Sequence, residues 1–106
     1  MIFEPVGILG GMGPKATILL QERLMRAVPS VLDDADHVPL IIDMNPQVPS
    51  RISHIIEKKG LSPGPILAKM AKRLEIAGAQ SVAMPCNTAH YYSQDITSAI
   101  KIPFID

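Results

Sequence analysis

The chain has 106 residues, one cysteine, no tryptophan, and ten basic against ten acidic side chains, for a formal net charge of +0. Balanced charge excludes the basic excess of a nucleic-acid binder or a polybasic membrane-surface protein, and the lone Cys86 excludes a disulfide scaffold. With 47% hydrophobic and 19% charged residues, the composition is that of one small globular domain with one core, not of a disordered segment.

Val6 to Leu9 is a short apolar run after Pro5, closed by Gly10, Gly11 and Gly13, so it reads as a strand followed by a glycine turn. Pro14 suits the first turn of a helix. From Ala16 onward, Ala16, Leu20, Leu24, Ala27 and Val28 recur at helical spacing until Pro29 stops them. Val38 to Ile42 is a second buried strand ending at Asp43. Met44 to Pro65 is a long connection rich in proline, glycine and polar residues, with a helical turn or two where Ile52, Ile55 and Ile56 share a face; connections of this length are often functional. Ile66, Leu67, Met70, Ala71, Leu74 and Ala77 form an amphipathic helix ended by Gly78. Ser81 to Met84 is a third strand, and Ala89, Tyr92, Ile96, Ala99 and Ile100 place a helix after it. Pro103 to Asp106 begins a fourth strand. No apolar run approaches the ~20 residues of a membrane span, and no signal-peptide pattern opens the chain. The expected location is therefore the cytoplasm, with no membrane and no nucleic acid among the partners.

Strands alternating with helices at this spacing predict an α/β fold: a three-layer αβα arrangement on a four-stranded parallel sheet. The sheet is expected to lack a covering helix after its last strand, so residues 1–106 read as one half of a larger α/β protein, or a half that pairs with something.

Ligands of open parallel sheets bind beyond the carboxyl ends of the strands. Three unusual segments fall there: Gly10-Gly11-Met12-Gly13, the loop from Asp43 to Arg51, and Pro85-Cys86-Asn87-Thr88. Cys86 at a helix mouth has backbone N–H groups and the helix dipole to favour its thiolate, a competent base or nucleophile; the alternative is a small buried hydrophobe. Asn87 and Thr88 offer donors beside it, but both are also ordinary capping residues. The glycine turn is a ready site for a carboxylate or phosphate. Gly11-x-Gly13-x-x-Ala16 matches a loose dinucleotide fingerprint, yet Asp33, Asp34 and Asp36 come before the second strand and Asp43 too late to be its acidic partner. Arg51 could clamp a carboxylate in bidentate fashion or stand solvated in its loop. His90 follows Cys86 by four residues, the spacing of one helix face, and is either a partner to the thiol or a partly exposed polar residue. Lys15 reads as an exposed helix start, Tyr91 and Tyr92 as packing residues, and Asp33, Asp34 and Asp36 as a solvated loop.

Gly7-Ile8-Leu9-Gly10-Gly11-Met12-Gly13-Pro14, Asn45-Pro46-Gln47-Val48-Pro49-Ser50-Arg51 and Met84-Pro85-Cys86-Asn87-Thr88-Ala89-His90 occur in the same order in aspartate racemases. From its first strand to its last residue, the chain resembles the cofactor-independent aspartate/glutamate racemase superfamily. That resemblance implies proton transfer at an α-carbon between two cysteines on opposite faces, with neither pyridoxal phosphate nor metal. It implies that Cys86 is the first of the pair, and that Asn87 and Thr88 hold the α-carboxylate together with backbone donors near Gly11 and Met12. Arg51 matches the arginine that grips a side-chain carboxylate, so the implied substrate is aspartate or a similar acidic amino acid.

The chain also departs from that pattern. Relatives run to about double this length as two similar halves, and the second cysteine, usually in a Gly-Cys-Thr-Glu-like segment, is absent here. Ser50 stands where relatives often carry an acidic residue. The expectation is a racemase-family half, shortened by evolution or by hand, with little or no racemisation alone. A non-catalytic half-domain that binds a dicarboxylate or pairs with another chain is the alternative, and a homodimer would bring a second Cys86 without automatically placing it opposite the first. A nucleotide binder built on Gly11, Gly13 and Ala16 ranks third, because it leaves Cys86, Asn87 and Arg51 unexplained.

Overall fold

In the computed structural model, which describes residues 3–105, the apolar run after Pro5 becomes β1 (Val6–Gly10) and the stripe after the glycine turn becomes α1 (Pro14–Ala27). β2 (Leu40–Met44), α2 (Arg51–Ile55), α3 (Gly64–Ile76), β3 (Ser81–Ala83), α4 (Ser93–Ala99) and β4 (Phe104–Ile105) follow. Asp106, expected to continue the last strand, lies outside the described residues. The sheet is parallel throughout, in the order β2-β1-β3-β4. The expected α/β class, strand number and direction are those observed.

Prolines set where the strands begin. Pro5, Pro39 and Pro103 each precede a strand, and each, with no N–H to offer, still accepts through its carbonyl: from Gln80, Val6 and Val82 at 2.8, 3.0 and 2.9 Å. This is why β2 starts at Leu40 and not at Val38 as the apolar run suggested. β3 is likewise one residue shorter than expected.

The two faces of β1 show the layering. A Cβ on Gly7 would meet Leu74 and Ala79, whereas a Cβ on Gly10 would meet Thr17, so α3 lies over one face and α1 over the other. α3 packs against α4 as well as the sheet. Leu9, Leu67, Met70, Ala71, Leu74, Val82 and Ile96 are buried together in the core on that side. α3 ends in a Schellman motif: Gly78 takes φ +110, its N–H reaches the Glu75 carbonyl, and the Ala79 N–H reaches that of Leu74. The α1 side is thinner. Ile18, Leu19 and Met25 stay exposed, as does Ile105 at the far edge of the sheet.

Two local readings change. The acidic cluster is not a plain solvated loop: Asp33 caps a 3-10 turn, Asp34–Asp36, in a reciprocal capping box. The N–H groups of Leu32 and Asp33 hold the Asp36 carboxyl below its usual range. The segment after β3 does not enter an α-helix directly; a 3-10 turn, Thr88–Tyr92, comes first.

Candidate active site

Because β2, β1 and β3 are adjacent and parallel, their carboxyl ends share one rim, and β1–β3 is where the strand order reverses. The three segments singled out in the sequence leave from these strands. They also share one apolar cluster. Met12 from the glycine turn, Val48 from the long loop, and Met84 and Ala89 on either side of Cys86 are buried in it, with Cys86 half-buried against them.

The glycine turn meets the long loop at very close range. Gly11 has φ +99, and a Cβ there would stand 2.4 to 2.7 Å from the Asn45 backbone, so only glycine fits. The Asn45 N–H bonds the Gly10 carbonyl at 3.0 Å. The Asn45 side chain accepts from Gln47 N–H at 3.0 Å and donates toward Met70 Sδ at 3.7 Å. Val48, 5% exposed, anchors the loop beyond it. Thr17 of α1, fully buried, accepts the Gly11 N–H at 2.9 Å. Of the turn donors expected to face a carboxylate, the one on Gly11 is therefore already engaged, and Gly11 contributes close approach instead.

Arg51 is the first residue of α2, and the cap is Ser50, whose hydroxyl accepts from Ser53 N–H at 3.1 Å. The guanidinium is neither free nor ion-paired. One terminal nitrogen is spread over the Val48 and Pro49 carbonyls, both at 3.3 Å, and the Nε–H is buried without an acceptor. Long, shared bonds to neutral carbonyls are weaker than a bidentate pair with a carboxylate.

Cys86 is not sealed in the core. Its Sγ lies 3.4 Å from Thr88 Oγ1, and its N–H turns back to the Met84 carbonyl at 2.9 Å. Asn87 precedes the 3-10 turn without using its side chain as a cap, and both Asn87 and Thr88 are exposed. The helix-dipole argument for a thiolate loses most of its force, because the turn that follows is 3-10 and five residues long. His90 does not partner the thiol either. Its Nε2 lies 2.9 Å from the Met84 carbonyl, and its ring stacks on Phe104 at 5.3 Å. It is a half-buried strut between the end of β3 and β4. Asp43, too late for a dinucleotide site, pairs instead with Arg73 of α3 at 2.6 Å.

Lys15 is exposed at the start of α1, as expected. Of the two tyrosines, only Tyr92 packs inside, at 3% exposed; Tyr91 is 71% exposed and stands edge-on to it. Sequence reasoning missed Thr17, Asn45 and the pairing of His54 with Tyr92, whose Nδ1 and hydroxyl are 2.6 Å apart. Burial, helped by nearby Tyr91 and Asp95 and opposed by Arg51, pushes the Tyr92 phenol above its usual range. Among the described residues no three His, Cys, Asp or Glu side chains gather closely enough to hold a metal ion, and no helix is long and apolar enough to cross a membrane.

Comparison with known proteins places these features in context. A family model described as Asp/Glu/Hydantoin racemase matches residues 9–106. The broad specificity amino-acid racemase RacX of Bacillus subtilis (strain 168) is 31% identical over 106 residues, an alignment that covers 94% of this chain and 44% of that protein. Among solved structures, the Picrophilus torridus aspartate racemase superposes with a TM-score of 0.86 at 34% identity, covering 97% of this chain and 43% of its own. An aspartate racemase homologue from Pyrococcus horikoshii OT3 superposes at 0.75 with 24% identity, over 98% of this chain and 45% of its own, a likeness of fold. The chain thus spans less than half the length of the relatives it matches.

Proposed function

This chain belongs to the Asp/Glu/hydantoin racemase family, and from that premise we propose that it carries one wall of a cofactor-independent site that inverts an acidic amino acid, aspartate first. Cys86, as thiolate, takes the α-proton: an S–H bond forms, the Cα–H bond breaks, and the electron pair moves into the adjoining carboxylate. The Asn87 amide, the Thr88 hydroxyl and the backbone of the turn at Met12 hydrogen-bond that carboxylate as its charge grows. Arg51 exchanges its two long bonds to carbonyls for a bidentate pair with the side-chain carboxylate.

Inversion needs a second acid on the opposite face. The chain has one cysteine, so a second thiol has to come from residues beyond this chain or from another molecule. The reading therefore expects almost no racemisation by the isolated chain. Its main support is the half-buried Cys86, bonded to Thr88 on the rim where the glycine turn and the long loop also arrive.

Labelling with iodoacetamide at neutral pH tests this. Cys86 is expected to be labelled and to be protected by L-aspartate. An inert thiol, or a rate indifferent to aspartate, counts against the site. The single cysteine also favours a second reading, a dicarboxylate-binding half-domain without turnover. Inversion of aspartate in deuterated water at enzyme-like rates, with deuterium at Cα, would exclude that reading and the incomplete site together.

A further inference from the structure

α2 has five residues, far too few to hold a helical shape by itself in water. Yet it carries the arginine that has to meet a ligand at a fixed place. The guanidinium's own contacts do little to fix it, since they are two 3.3 Å bonds to carbonyls and an Nε–H without an acceptor. Val48 before α2 and Ile55 at its end pack with the core, and a side-chain hydrogen bond to another element adds to them one turn on. His54, three residues after Arg51 and on the same helix face, has Nδ1 2.6 Å from the Tyr92 hydroxyl, with the two rings 5.7 Å apart. Tyr92 is fixed in the core and is the last residue of the 3-10 turn that begins at Thr88. The 3-10 turn therefore runs from the Cys86 segment to the hydroxyl that His54 of α2 bonds.

We infer that the His54–Tyr92 hydrogen bond is a positioning clasp: it sets the reach from Cys86 to Arg51 and so makes the site prefer a ligand with a second carboxylate. The inference rests on the roles proposed above for Cys86 and Arg51. A buried phenol needs some partner in any case. A purely structural bond, however, affects every ligand alike, whereas a clasp acting through Arg51 affects only ligands that reach Arg51.

The test compares the chain with Tyr92→Phe, which keeps the core filled, His54→Ala, and His54→Asn, whose amide reaches about where Nδ1 sits. Hydrogen exchange of the Arg51 Nε–H is followed by NMR, and binding of L-aspartate and L-alanine by titration. Tyr92→Phe and His54→Ala are expected to speed that exchange and to weaken aspartate roughly threefold to tenfold, the range for one lost neutral hydrogen bond. Alanine binding is expected to stay put, and His54→Asn to recover both readouts. Exchange that is unchanged in both variants overturns the clasp, as does an equal loss for aspartate and alanine. Exchange that responds in a chain with no wild-type preference for aspartate keeps only the hold on Arg51 and overturns both its carboxylate role and the preference.

Discussion

Replacing Gly11 by alanine attacks the contact that joins two of the three loops, and its cost can be divided into parts. The first is conformational. At φ +99 an L side chain is strained, by about 1–2 kcal/mol on the scale of left-handed backbone. The second is steric. The added Cβ would stand 2.4 Å from the Asn45 carbonyl carbon, and since this is backbone it can be relieved only by moving the loop, which for overpacking typically costs ~1–3 kcal/mol. Together these give about 2–5 kcal/mol, a fall in Tm of roughly 10 °C or more for a domain of this size. Two internal controls isolate the parts. Gly78→Ala meets nothing within 4 Å but has φ +110, so it carries only the first; Gly13→Ala meets nothing within 4 Å and has φ −88, so it carries neither. Thermal melts of the three variants are expected to rank Gly13→Ala near wild type, Gly78→Ala lower and Gly11→Ala lowest. Only Gly11→Ala should also change the iodoacetamide rate of Cys86. Melting of Gly11→Ala alongside Gly78→Ala would refute the close approach of the two loops.

Thr17→Val leaves the buried Gly11 N–H without an acceptor and is expected to cost about 1–3 kcal/mol in urea unfolding, with Thr17→Ser close to wild type. Leu67→Ala, at a fully buried core position, is expected to cost ~2–5 kcal/mol by the same measurement. Glu75 ties α3 to the connection between α4 and β4: it accepts from Lys72, and from the Lys101 N–H at 2.6 Å and the Ile102 N–H at 3.3 Å. The Lys72 bond first and the Lys101 N–H second hold its carboxyl below the usual value of 4.5. A lowered folded-state pKa means stability that is present above 4.5 and is lost as pH falls through the depressed value. Glu75→Gln should remove that acid dependence from the protection of the Lys101 and Ile102 amides, leaving them at neutral pH about as weakly protected as the wild type is in acid.

The order of strands and helices was legible because apolar periodicity and proline or glycine punctuation coincide at nearly every boundary. Val38 and Pro39 are one exception. They read as strand by hydrophobicity, yet Pro39 has no N–H to give and serves only as acceptor for Val6. That the three loops leave from one rim was legible too, since parallel neighbours put their carboxyl ends on the same side. What was not legible depends on tertiary contact. His54 and Tyr92 are 38 residues apart, and no spacing rule joins a loop histidine to a core tyrosine. Thr17 sat unremarked on the apolar side of α1, although a hydroxyl there is itself a signal of a buried partner. The turn after Cys86 looked α-helical because Ala89, Tyr92 and Ile96 recur at helical spacing; it is a 3-10 turn, and His90 bonds the Met84 carbonyl.

An NMR titration of the isotope-labelled chain with L-aspartate tests the shared rim most directly. The account predicts that Met12, the Arg51 Nε–H, Asn87 and Thr88 shift along one binding curve while residues at the opposite end of the sheet, such as Gln80 and Leu40, stay still. Shifts confined to another surface, or none at tens of millimolar ligand, would contradict it.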